Sequence, residues 1–280
     1  MSTSTAVSTS TAPPRVDAIR AIALKDFTAV RRSKGVMLPM LIVPFLLLVV
    51  LPLIVGLAAR NAHPPDVSNM LRTLPGGLAK PLLNLPPRER LVTLVDGYLL
   101  APLFLIVPLM LAAVLAADAF AGEKERKTLE ILMHQPVPDR DLFYAKLLSA
   151  FIPAVAISWI GFAFFTVVVD ATAWSVTHHL LVPTKLWIVV IIWVAPAVAA
   201  LGLGVMVRVS ARATSTQEAN QLGGAVILPL IFLAVGQSTG LLLLTLPAAI
   251  GIGAVVWVVA GLLIARGAQR FTRDRMARTI

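Results

Sequence analysis

The chain of 280 residues has no cysteine. Disulfides, thiolate nucleophiles and cysteine metal ligands are therefore excluded. Charge is also scarce. Asp, Glu, Lys and Arg make up 14% of the residues, against about a quarter in an ordinary soluble domain. No G-x-x-x-x-G-K-[ST] phosphate loop occurs, so the chain has no recognisable nucleotide motor of its own. A His-Glu-x-x-His zinc pair is missing too, and so is a Ser/His/Asp set that would suggest an intramembrane enzyme.

What the chain has in abundance is apolar length. Hydrophobic residues make up 58% of it, and the mean hydropathy is +0.87. Five stretches carry no charged residue: Gly35–Ala59, Gly97–Ala117, Leu147–Val169, Leu186–Val207 and Ala219–Ala265. A helix that crosses a bilayer needs about 20 residues. The first four runs are one span each. The last is long enough for two and divides at the polar, glycine-flanked turn Gly236–Gly240. The fold class expected is all-α and polytopic, with six transmembrane helices near 36–59, 97–117, 147–169, 186–207, 220–235 and 241–265. Residues 60–96 form a long outer loop, and Arg88–Val95 within it suits a short helix leading into the second span. Every run contains proline, which serves either as ordinary membrane-helix proline or as a hinge.

Alternate assignment of the segments places eighteen of the 24 Lys and Arg on one side. The positive-inside rule makes that side cytoplasmic, so both termini face the cytoplasm. The net charge of +10 is explained by this orientation and by anionic lipid, without nucleic acid. Residues 1–14 are mostly Ser, Thr, Ala and Pro without periodicity and are expected to be a disordered tail. The rest, 15–280, reads as a single transmembrane domain. Ile19–Arg32 mixes charge with an apolar side and suits an interfacial helix.

The second and third spans are joined by a dense charged island, Phe120–Lys146. Its first half is made of good helix formers, with Glu123 and Lys127 four apart in the favoured order. Leu129, Leu132 and Met133 give it an apolar stripe, and Pro136 and Pro138 end it. A short amphipathic helix on the membrane surface is expected, with an exposed stripe that a partner groove can recognise.

The run AGEKERKTLEIL from Ala121 to Leu132, then Gln135, Pro136, Val137 and Pro138, then Tyr144, Ala145 and Lys146, resembles the signature loop of the type-2 permease family of ATP-binding-cassette (ABC) transporters. Gly122, Glu123, Glu125, Thr128, Leu129, Glu130, Pro136, Val137 and Lys146 hold the pattern. Ala145 stands where a glycine is usual. The resemblance implies half of a pore, paired with a second permease subunit and docked on a separate cytoplasmic ATP-binding subunit. It also implies that Glu123, Glu125, Thr128, Leu129 and Glu130 lie at or beside the ATPase-coupling contact. ATP and Mg would then be held by the partner, with no cofactor, metal or catalytic residue on this chain. Export, a plasma-membrane location and a prokaryotic source are further expectations of the same resemblance.

Other features are bland. The adjacent His178 and His179 cannot both face one ion, and no acid nearby completes a set. Asp118 and Asp170 border spans and can reach the interface. Thr214 with Gln217, and Ser215 with Glu218, have capping-box spacing before the fifth span. The alternatives to an ABC permease are an ion- or proton-driven secondary carrier and a non-transporting anchor for an ATPase. The carrier calls for acids near mid-span, and the charge-free runs offer none.

Overall fold

The structure is a computed structural model that describes residues 41–61, 66–73, 76–126, 139–213, 215–238 and 245–270. The tail, the interfacial helix at Ile19–Arg32 and most of the island lie outside the described residues.

Every regular element described is helical. Among the described residues, six helices are long and apolar enough to cross a membrane: α1 (Leu41–Arg60), α4 (Pro87–Gly122), α5 (Leu142–Thr177), α6 (Lys185–Arg212), α7 (Thr216–Gly236) and α8 (Leu246–Gln269). Two short ones, α2 (Ser68–Thr73) and α3 (Gly76–Leu83), lie between α1 and α4. The long apolar run after Glu218 is divided, with α7 ending at Gly236 and α8 beginning at Leu246. Several spans run well beyond the charge-free stretches. Span α4 starts at Pro87, ten residues before Gly97, and takes in Arg88–Val95. At about 1.5 Å per residue its 36 residues exceed the thickness of a hydrocarbon core.

Spans α4 and α6 form the centre. Two-thirds of the apolar window of each (67%) is buried, against 17–22% in the other four. Their sequences explain this. Ala112, Ala116, Ala197, Ala199, Ala200 and Gly202 are small enough to let neighbouring backbones approach. The outer spans turn large side chains such as Phe45, Ile160, Phe164, Phe232 and Val255 away from the bundle. A helix in hydrocarbon needs that apolar outer face. Tryptophans fasten the rim of the bundle. Trp193 Nε1 donates to the Ile250 carbonyl at 3.2 Å, and Trp257 Nε1 donates to the Trp193 carbonyl at 3.3 Å.

The spans are not uniform α-helix. Wide π turns occupy Leu46–Val50, Val95–Leu99, Asp118–Gly122 and Val190–Val194, and a tight 3₁₀ turn occupies Gly224–Ile227. Four of these five follow from proline chemistry. A proline has no N–H for the carbonyl four residues before it. Pro52, Pro102, Pro196 and Pro229 thus deprive Leu48, Tyr98, Ile192 and Ala225, and each of these residues lies inside one of the irregular turns. The backbone answers by re-pairing. Leu51 N–H reaches back to Leu46, Leu100 to Val95 and Ala195 to Val190, while Leu228 N–H takes the Ala225 carbonyl. The turn at Asp118–Gly122 has no proline behind it.

Candidate functional site

The exceptional turn marks the place where the charged island begins. It ends α4, and π turns recur at functional positions in other helices. Here a side chain takes over one of its carbonyls. Lys146, near the start of α5, donates from Nζ to the Ala119 carbonyl at 2.9 Å. The same ammonium pairs with the Glu123 carboxylate and lies 5.6 Å from the centroid of the Phe120 ring. Both charged groups are almost wholly buried, at 1% and 5% exposure. Lys146 thus gains a carboxylate, a carbonyl and an aromatic face in place of water. This is the condition under which a buried ion pair is tolerated. Phe143 packs on Phe120 beside it, with ring centroids 5.9 Å apart.

Two further contacts join at this end. Arg126 Nη2 meets Asp118 Oδ1 at 2.6 Å, bracing the π turn from its exposed side. Glu125 Oε2 accepts from the Thr216 backbone N–H at 2.9 Å and from the Thr216 hydroxyl at 3.0 Å. Thr216 is the first residue of α7, so the carboxylate sits on the positive end of that helix. The Thr216 N–H, then its hydroxyl, then nearby Arg126, hold the Glu125 carboxyl below its ordinary value. The cap residue of α7 is Ser215, whose Oγ accepts from the Glu218 N–H at 3.1 Å, as the capping-box spacing predicts.

Each residue of the Gly122-Glu123-x-Glu125 run therefore has its own task. Gly122 lets α4 and α7 come close, since a Cβ there would lie 2.9 Å from Asp118 Oδ1 and 3.3 Å from Thr216 Oγ1. Glu123 turns inward to α5, and Glu125 reaches across to α7. Thr128, Leu129 and Glu130, with Pro136 and Val137, lie outside the described residues. Sequence reasoning did not identify Thr216 as a partner and treated Asp118 only as a border acid. The partner at 216 is 91 residues away from Glu125 in the chain, and local spacing carries no trace of it.

Next to this cluster, α4, α6 and α7 line a half-open pocket of about 220 Å³ formed by Leu109, Met110, Val114, Met206 and Ile227, with Asn220 as a polar edge. At the opposite end of the bundle, Asp170 is satisfied locally. Its Oδ1 accepts from the N–H groups of Leu181 and Val182 at 2.9 and 3.1 Å. His179 Nδ1 lies 2.7 Å from the Thr177 carbonyl.

A family model described as "ABC-2 family transporter protein" matches residues 20–251. No curated protein matches the chain.

Proposed function

The chain belongs to the ABC-2 transporter family, and we propose that it is the permease subunit of an ATP-driven exporter, working as a dimer of six-helix bundles. Membership implies a cytoplasmic ATP-binding partner, since this family is the membrane component and not the ATPase. On this reading the island end faces the cytoplasm of a prokaryotic cell, in keeping with the excess of Lys and Arg there. ATP and Mg reside on the partner, and the chain moves in response.

The observation that carries this reading is the buried Glu123–Lys146 tie. The described residues stop at Arg126 and resume at Asp139. Both points of attachment are anchored: Arg126 to Asp118 on α4, and the start of α5, through Lys146, to the same turn of α4. Glu125 adds α7. A load applied to the island segment is thereby delivered to three spans together. Coupling between a motor and a bundle requires such a contiguous element with more than one arrangement.

The test is co-purification with the ATP-binding subunit, followed by ATP hydrolysis in lipid. Leu129→Asp with Glu130→Lys, both on the segment itself, should abolish association. Glu123→Gln with Lys146→Met should keep association and lose stimulation of hydrolysis by cargo or lipid. Normal association in the first variant, or normal stimulation in the second, removes the coupling assignment.

A further inference from the structure

Spans α6 and α8 lie side by side and run in the same direction. A Cβ on Gly204 would lie 2.8 Å from Leu263, and one on Gly267 would lie 3.2 Å from Val207. Residues 204 and 207 of α6 therefore meet 263 and 267 of α8 in turn. Arg208 and Arg266 stand beside this seam at nearly one level. Arg208 comes one step after Val207, and Arg266 one step before Gly267. Each helical step turns by about 100°, so in parallel helices these two steps lead to the same flank. The opposite flank of α6 is covered, with Leu203 and Ser210 buried.

The arginine flank is open. Arg208, Arg266 and Arg212, one turn beyond Arg208, are all exposed, and none has a side-chain partner among the described residues. Neither helix contains an Asp or Glu. The nearby acids of the island end are already engaged, Asp118 with Arg126 and Glu125 with Thr216. Each arginine continues an apolar stripe. On α8 the exposed Val255, Val259 and Leu262 lead at helical spacing to Arg266. On α6 the half-buried Leu201 and Val205 lead in the same way to Arg208. Arg266 lies 20 residues after Leu246, the start of α8, a rise of about 30 Å, which is the thickness of a hydrocarbon core. The guanidinium groups therefore stand where lipid headgroups begin.

We propose that Arg208 and Arg266, with Arg212 beyond them, hold the headgroup of an acidic phospholipid in the leaflet on the island side. The phosphate lies between the two guanidinium groups, whose planar forks match its oxygens. The acyl chains lie along the two apolar stripes and across the seam between them. Basic side chains from two adjacent helices at this depth suit an anionic headgroup. A zwitterionic lipid offers the same phosphate, but its own cation offsets the attraction. One lipid thereby touches both helices, and α8, which packs chiefly on α6, gains a second fastening to it. This inference needs only that the bundle crosses a bilayer and is independent of any ATP-binding partner.

The test uses the full chain alone in detergent. Phosphatidylglycerol or phosphatidylcholine with the same acyl chains is added, and native mass spectrometry reads the lipid retained. The wild type should prefer phosphatidylglycerol. An arginine beside an anionic headgroup is worth on the order of fivefold in affinity, so Arg208→Gln with Arg266→Gln should weaken phosphatidylglycerol binding by about 25-fold and remove the preference. Arg72→Gln with Lys80→Gln removes the same charge from the exposed side chains of α2 and α3 and should leave the preference intact. A wild-type preference in the first variant, or an equal loss in the second, overturns the site. Displacement of the lipid by an equal concentration of glycerol phosphate assigns the arginines to a soluble anion and overturns the lipid. Each single variant should lose about fivefold, so the outcome is readable even where the double variant fails to fold. Two single variants with wild-type binding overturn the proposal as well.

Discussion

The two ends of α4 treat buried carboxyl groups in opposite ways. At the island end, Asp118 meets Arg126 and Glu123 meets Lys146. At the other end, near α2 and α3, Asp96 meets no cation and no donor among the described residues. The helix and the kind of side chain are the same, so the difference lies in the neighbours. A paired acid holds its charge and joins the elements that carry the two partners. An unpaired one joins nothing. The island end is accordingly built as a fastening, and the other end is not.

The sharpest way to break this comparison is Lys146→Met. It leaves Glu123 buried without its cation and should cost about 3–5 kcal/mol, measured by thermal unfolding in detergent. Adding Glu123→Gln should recover much of that loss. If the double variant is no better than the single, the two residues do not act as a pair. Gly122→Val comes next. Its new methyl groups must displace Asp118 or Thr216, at about 1–3 kcal/mol, and hydrogen exchange at the Thr216 amide should speed up. The Glu125 contact sharpens the picture through pH. Its carboxyl is held below the usual 4.5, so the contact contributes fully above that value and is lost as pH falls through the lowered one. Protection of the Thr216 amide, corrected for intrinsic exchange, should be flat above pH 4.5 and fall in acid, and Glu125→Gln should remove that dependence. The smallest effect belongs to Asp96→Asn, which at neutral pH should shift stability by less than about 0.5 kcal/mol. A loss as large as that of Lys146→Met would give Asp96 a partner and erase the contrast between the two ends.

Much of this architecture is written in charge. Runs free of Asp, Glu, Lys and Arg locate all six spans, because no other element of a folded chain sustains twenty apolar residues. The same criterion hid Asp96. By that criterion a run ends at any charged residue, whereas α4 passes straight through Asp96 and begins at Pro87. Its same-face neighbours Val92 and Leu100 are buried in the main core, and the two short helices α2 and α3 are obscured by their punctuation. Pro75, Gly76, Gly77, Pro81 and Pro86 make residues 60–96 read as a loop, yet α2 and α3 form among them. Lys146 was visible only as a position in a pattern. That it reaches back to Ala119 and Glu123 depends on how α5 packs against α4, which no local spacing encodes. The irregular turns are the converse case. Given prolines at 52, 102, 196 and 229, counting back four residues finds four of the five, although Pro153 leaves α5 regular.

Those turns also bear on how sequences of this kind tolerate change in length. A π turn is wound with one residue more than the α turn it replaces. Loss of a single residue within Val95–Leu99 or Val190–Val194 can be absorbed by rewinding, leaving both halves of the helix aimed as before. The same deletion in Ile106–Ala117, which is regular throughout, would swing everything beyond it by about 100°. Homologues that differ by one residue in these spans should therefore carry the gap at the wide turns.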